Sequence, residues 1–241
     1  MPPVAPALPS LILFARAPRP GNVKTRLAPA LGEAGAARLY RAFLEDAARA
    51  YTGRGDWSPV VCADSDRARE DLAAIFGDAW RIESQREGDL GGRLAEAFRR
   101  EFDGGAPRAL AVGSDHPALS RRRLIEAFGF LGGGEQAAII PAQDGGYCAI
   151  GFTAGVPAEA VFRDVPWSTD RVLDVTFVRL REAGVTFRLL EPAYDVDRPE
   201  DLSRLVRDLA TRPRDADYPI ATAEALETLD LLASPVARGP R

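Results

Sequence analysis

The chain has one histidine, His116, and two cysteines, Cys62 and Cys148, among its 241 residues. A single imidazole cannot build a histidine-based triad or a multi-histidine metal centre. Two thiols are too few for a disulfide framework or a zinc site. Both fall in strand-like runs, where small buried thiols are expected. A large charge excess is also missing. The net charge is −4, so no general attraction to nucleic acid is expected. No apolar run is long enough to cross a membrane. Residues 1–10 hold Pro2, Pro3, Pro6 and Pro9 and no basic stretch, so they read as a flexible leader and not a secretory signal. A soluble, cytoplasmic protein is the expectation.

What is present is a globular composition, 46% hydrophobic and 27% charged, enough for a sizeable core in one α/β domain. Short apolar runs between turn signals predict strands at residues 11–15, 57–63, 80–84, 109–112, 137–141, 147–152 and 186–190. The first of these should be central. Amphipathic stretches predict helices at 33–51, 66–76, 91–102, 121–131, 167–183, 200–209 and 221–232. Ser65 or Asp66, Ser120, and Ser168 or Thr169 are candidate caps. Residues 143–146 are expected as a tight hairpin turn joining two antiparallel strands. The pattern predicts an α/β/α sandwich with a mixed, mostly parallel sheet over residues 11–211, and a helical extension over 212–241.

Several stretches carry groups that suit chemistry. Asp115 follows the fourth strand, where open α/β sheets bind ligands; it either holds a metal on a nucleotide or caps a turn. The loop after the first strand brings Arg16, Arg19, Lys24 and Arg26 together with no acid between them. That set suits an anion at a helix N-terminus, or else is a solvated basic loop. The loop lacks both Gly-x4-Gly-Lys-Ser/Thr and Gly-x-Gly-x-x-Gly, so it is neither a Walker loop nor a dinucleotide fingerprint. In the segment of residues 85–93, Gln85 could read a base edge and Arg93 a phosphate, with Gly91-Gly92 opening a helix. An ordinary glycine-rich connection explains the same residues. Asp195-Val-Asp197 follows the last strand. Only one of its carboxylates is expected to face the crevice, and Asp197 is the choice, unless it simply caps the next helix. With Asp115 it would suit Mg²⁺ or Mn²⁺. Asp144-Gly145-Gly146-Tyr147 is a hairpin turn that could also line an acceptor pocket. His116 either touches ligand or sits solvated in its turn.

Four motifs occur in a fixed order: Phe-Ala-Arg-x-Pro-x-Pro-Gly-x-Val-Lys-Thr-Arg-Leu, Gly-Ser-Asp-x-Pro, Asp-Gly-Gly-Tyr and Asp-Val-Asp-x-Pro-Glu-Asp-Leu. Together they resemble the nucleotide-diphospho-sugar transferase superfamily with the glycosyltransferase-A fold. The likeness is greatest to a bacterial branch related to the 2-phospholactate guanylyltransferase CofC, often labelled only glycosyltransferase-like. It spans residues 11–209. The resemblance implies a Rossmann-like sandwich and a nucleotide over the first strand, its phosphates on the loop of Arg16, Gly21, Lys24, Thr25 and Arg26. It also implies nucleotide contacts from Gln85, Gly91, Arg93 and Ser114, and a divalent metal at Asp115 and Asp197. The Gly-Gly-x-Ser-x-Arg-Met-Gly loop of the molybdenum-cofactor and sugar-phosphate nucleotidyltransferases is missing, so their substrates do not carry over.

The reading that follows is an enzyme that transfers a nucleoside monophosphate from a nucleoside triphosphate to a small phosphorylated or acidic acceptor, releasing pyrophosphate. Lys24, Arg26 and Asp115 are its candidate catalytic residues. A glycosyltransferase using a nucleotide sugar is the alternative, and a non-catalytic nucleotide-binding protein a third.

Overall fold

A computed structural model of the protein describes residues 7–232. Residues 1–6 of the expected leader, and the expected extension from residue 233 onward, lie outside them. The strands are β1 (Ser10–Ala15), β2 (Ser58–Ala63), β3 (Arg81–Ser84), β4 (Arg108–Gly113), β5 (Ala137–Pro141), β6 (Tyr147–Thr153) and β7 (Phe187–Leu189). The longer helices are α1 (Ala28–Tyr51), α2 (Asp66–Phe76), α3 (Leu90–Asp103), α4 (Arg121–Gly132), α6 (Val172–Glu182) and α7 (Pro199–Thr211). Two shorter ones are α5 (Ala158–Phe162) and α8 (Ile220–Thr228).

All seven strands form one sheet in the order β3-β2-β1-β4-β6-β5-β7. Only β6 runs antiparallel, paired with β4 on one side and β5 on the other. The apolar alternation of β1 shows why the sheet is covered on both faces. Leu11 and Leu13 join the core with α1, α4 and α7, and Ile12 joins the one with α3, α5 and α6. Successive side chains point to opposite faces, so a continuously apolar strand must be buried twice. Phe43 anchors the first core, and Phe98 and Phe152 the second. Each buried side chain of this kind adds roughly 1.5–3 kcal/mol.

Four local expectations need correction. The first helix begins at Ala28 and is broken at Gly32 (φ 69°), so the predicted start at residue 33 marks its second part. The helix expected from residue 167 begins at Val172. Ser168 has a left-handed backbone (φ 65°), which cannot be part of a right-handed helix. Thr169 accepts from Arg171 N at 3.3 Å and donates to Pro166 O, closing a turn and not capping α6. Ser65 and Ser120 hold N-cap positions without a side-chain cap bond. The expected hairpin turn between β5 and β6 is present at residues 142–146, closed by Ala142 N on Gly146 O. The C-terminal helix ends at Thr228, short of the predicted residue 232. The short helix α5 was not predicted at all; with five residues it is too brief to show a period.

Helix α8 is clasped to α1 by a polar contact. The buried Asp46 carboxylate accepts from Ala221 N at 3.0 Å and Thr222 N at 2.8 Å. It thus satisfies two of the orphan amides at the start of α8. Burial pushes the Asp46 carboxyl up, and the bonds from Thr222 and Ala221 work against that. Asp46→Ala is expected to cost about 1–3 kcal/mol by stranding those amides. Urea denaturation measures it, and unchanged stability would mean that apolar contacts alone hold α8.

Candidate functional site

The strand order reverses between β1 and β4: from β1 the chain steps outward to β2 and β3, then returns to β4 on its other side. The loops after such a pair diverge and leave a crevice at the carboxyl ends of the strands. The loop after β1 and the one after β4 therefore face each other. Tyr40, from the buried face of α1, joins them. Its hydroxyl accepts from Arg16 N at 3.1 Å and shares a hydrogen bond with Ser114 Oγ at 2.7 Å. Burial, then the Asp115 charge, raises the Tyr40 phenol well above its usual range, so it stays neutral. Sequence reasoning missed Tyr40; its only signal was a hydroxyl on an otherwise apolar helix face.

At the centre stands Lys24. Its backbone is left-handed (φ 48°), and its side chain is 3% exposed. A buried non-glycine residue in that region is strained, and such strain is held only where surrounding structure enforces it. Val23 and Leu27, both buried, fix the loop on either side, and Leu27 N donates to Lys24 O at 2.8 Å. The ammonium pairs with Asp115 and with Asp197, the latter at 2.6 Å. It also lies 5.8 Å and 5.7 Å from the ring centres of Tyr40 and Phe43. Burial pulls the ammonium down, but the charges of Asp115 and Asp197 prevail and hold it above its ordinary range. Asp115 shows the reverse: burial pushes it up, and the Lys24 charge and hydrogen bond outweigh that and lower it. Lys24 and Asp115 are therefore both ionised at neutral pH.

Backbone bonds align the two carboxylates. Val196 N donates to Asp115 O at 3.0 Å, and His116 Nδ1 lies 3.3 Å from the Tyr194 carbonyl. His116 thus ties two loops together and packs over Gly113. Burial lowers its pKa, the Asp115 charge notwithstanding, so it is neutral at pH 7. The expectation that only one of Asp195 and Asp197 can face the crevice is wrong. Residues two apart in extended backbone share a face, and here it is the intervening Val196 that is buried, at 0% exposure. Asp195 sits in an acidic environment: burial, then the charges of Asp197 and Asp144, push its carboxyl up to about 6. Asp197 is not the cap of α7; Arg198 holds that position, and Asp201 accepts from the amides of Asp197 and Arg198.

Other expected residues fall as follows. Arg16, Thr25 and Arg26 are exposed, and neither arginine makes an ion pair among the described residues. Gly21 is exposed and left-handed (φ 78°). Arg19 is diverted: it pairs with Asp71 at 2.7 Å and donates to Arg67 O. Gln85 spends its amide on Cys62 O at 2.8 Å, with Arg93 3.5 Å from its oxygen. Gly91 is buried where a Cβ would meet Phe162 O at 2.8 Å, so packing against α5 demands it. Asp144 accepts from Gly146 N at 3.0 Å. Gly145 (φ 90°) lies so close to Asp170 O that a Cβ would stand 2.1 Å from it. Tyr147 is edge-on to Trp167, its hydroxyl buried without a partner. The thiols of Cys62 and Cys148 are free and buried; burial pushes both up to about 12, which leaves them unreactive. Among the described residues no helix is long and apolar enough to cross a membrane.

This sheet, with its single reversed strand and crevice, is the α/β fold of nucleotide-diphospho-sugar transferases. Residues 47–169 match the family described as "Uncharacterized protein conserved in bacteria (DUF2064)", and the chain belongs to that family. The matched stretch includes Asp115 and the β5–β6 turn but neither Lys24 nor Asp197. The chain is 29% identical to a "putative nucleotide-diphospho-sugar transferase" from Desulfovibrio desulfuricans G20, over 95% of this chain and 100% of that one, with a TM-score of 0.84. It also shares its fold with a cytidylyltransferase from Leptospira borgpetersenii (TM-score 0.58, 13% identity, 92% and 94% coverage). A third relative is a CMP:2-keto-3-deoxy-manno-octonic acid synthetase complexed with CTP (TM-score 0.53, 12% identity, 83% and 97% coverage). No protein of curated function matches the sequence.

Removing the ammonium leaves two adjacent carboxylates facing each other. Lys24→Met is therefore expected to lose about 2 kcal/mol, less than a fully buried pair because both acids are partly solvated. Adding Asp115→Asn and Asp197→Asn to Lys24→Met should restore part of that stability in a denaturant titration. A triple variant less stable than Lys24→Met would show that the ion pairs do not hold the loops.

Proposed function

We propose that the protein is a divalent-metal-dependent nucleotidyltransferase, moving a nucleoside monophosphate from a nucleoside triphosphate to a small phosphorylated or acidic acceptor. The observation that carries this reading is the meeting of Asp115 and Asp197, from different strand ends, beside an exposed basic loop. The nucleotidyltransferases among its structural relatives support it.

The donor set fits Mg²⁺. Among the described residues no group of three or more His, Cys, Asp or Glu is gathered as a metal site. Mg²⁺ needs no such cage, because it takes one or two carboxylates and completes its shell with substrate phosphates and water. Asp115 and Asp197 are hard oxygen donors, 42% and 37% exposed. Bound there, the metal would neutralise charge on the α-phosphate and the attacking oxygen.

The chain's own residues supply positioning and charge. Arg16 and Arg26 take the phosphates of the nucleotide, and Arg26 meets the departing pyrophosphate. Lys24 holds the two carboxylates at one point and adds positive charge behind them. Ser114, fixed by Tyr40, sets the loop that carries Asp115. Gln85, Gly91 and Arg93 form the nucleotide side of the crevice. Asp144, Gly145, Gly146 and Tyr147 form the acceptor side. The acceptor oxygen attacks the α-phosphorus in line, and the bond to the β-phosphate oxygen breaks. An acceptor that is already an anion needs no general base. The catalysis asked of the protein is orientation and charge stabilisation.

A nucleotide sugar as donor is the second reading, and the name carried by the Desulfovibrio relative favours it. The leaving group separates the two. Pyrophosphate release from one nucleoside triphosphate is expected, and release of a nucleoside diphosphate from a sugar nucleotide would replace the first reading with the second. Asp115→Ala should abolish metal-dependent nucleotide binding in a thermal-shift titration. Arg26→Ala should slow turnover about tenfold or more, the effect of one lost charge contact in the transition state. Wild-type affinity in the aspartate variant would remove it from the metal site.

A further inference from the structure

A second cavity lies beside the segment that carries Asp195 and Asp197. Its volume is about 410 Å³, within the range of small-molecule sites. Arg123 from α4, Arg204 from α7 and Arg212 just beyond α7 line it, together with Tyr194. None of the crevice residues assigned above belongs to its wall.

The three guanidiniums are held mainly by neutral groups. Arg123 donates to Glu191 O, and Arg212 to the carbonyls of Ala118 at 3.2 Å and Asp217 at 3.3 Å. Arg204 stacks on the Tyr194 ring at 3.9 Å and donates to the Gln143 side chain. Carbonyls fix a guanidinium without cancelling its charge. The acids nearby are Asp208 on the wall, 3.9 Å from Arg204, and Glu126, 3.7 Å from Arg123. The Tyr194 hydroxyl donates to Asp208 at 2.6 Å, so part of that carboxylate is already engaged. Arg123 Nε is buried without a hydrogen bond, and the Glu126 carboxylate is the acid it faces. Three like charges around one hollow repel each other. An anion in the hollow relieves that repulsion.

We infer that this cavity binds a small organic phosphate. A phosphate dianion matches the charge, and its outer oxygens accept from several guanidinium forks at once. Leu119, Pro192 and Leu209 give the organic part an apolar wall. The site is separate from the proposed nucleotide crevice and does not depend on that reading. It touches the crevice through the backbone: Tyr194 lines the cavity, and its carbonyl meets His116 beside Asp115.

The test is a titration of the isotope-labelled, metal-free full chain with phenyl phosphate at constant ionic strength, followed by amide and arginine Nε–H NMR signals. One saturable site is expected, with shifts at Ala193, Tyr194 and the three arginine Nε–H groups. Arg204→Gln and Arg123→Gln should each weaken it about tenfold or more, the effect of losing one hydrogen bond to a charged group. Arg16→Ala should leave it unchanged. Absence of saturable shifts overturns the inference, as do shifts confined to residues 16–27. Equal affinity in the wild type and both cavity variants overturns it too. Phenol binding as tightly as phenyl phosphate would show an apolar groove instead.

Discussion

One buried ammonium organises the crevice. Lys24 bonds to Asp115 across the sheet's switch point and to Asp197, which lies 173 residues further along the chain. Without that charge the two carboxylates would repel, and the loops that carry them would lose their common anchor. A compact ammonium suits this place better than a planar fork, because it offers donors in several directions from one small centre. The composition reflects the difference. The chain has 31 basic residues, and Lys24 is the only lysine among them. Everywhere else the positive charge is arginine, including the three side chains of the second cavity.

The sheet puts this ion pair where ligands can reach it. Because β1 and β4 are neighbours whose following loops diverge, Lys24 and the two carboxylates meet at the switch point of the sheet. The antiparallel β6 adds something that a purely parallel sheet would not. It brings the turn between β5 and β6 to the same carboxyl edge, where Asp144 contributes to the raised pKa of Asp195. The β7–α7 segment therefore meets three loops, and its Tyr194 also faces the arginine-lined cavity. A short stretch of extended backbone is shared between two concave surfaces.

Much of the fold was legible in the sequence. Every strand was anticipated, because a run such as Leu11–Ala15 can satisfy its apolar side chains only inside a doubly covered sheet. The reversed strand was legible too, since Asp144-Gly145 marks a turn between two apolar runs. The misplaced elements have local causes. Ser168 adopts a left-handed backbone that no pattern of polar and apolar residues reveals. The first turn of α1 carries Pro29 and Gly32, both poor formers of helix interiors, and packing of Leu27 and Leu31 on the first core holds that turn in place. Of the candidate site, the residue types were legible and their partners were not. Arg19 and Arg16 look alike in the loop, yet one is bound to Asp71 and the other makes no ion pair among the described residues.

The sequence by itself determined the order of the strands and of every helix but α5, the single reversed strand and the positions of the charged motifs. These follow from local rules: period, turn chemistry and the burial of apolar runs. Only the tertiary structure decided that Lys24 faces inward between two acids, that Tyr40 joins two loops, and that Arg123, Arg204 and Arg212 surround one hollow. Those contacts join residues far apart in the chain, and their geometry depends on how the helices pack on the sheet. Local pattern fixes which face a side chain takes, but its partner is set only when the layers close.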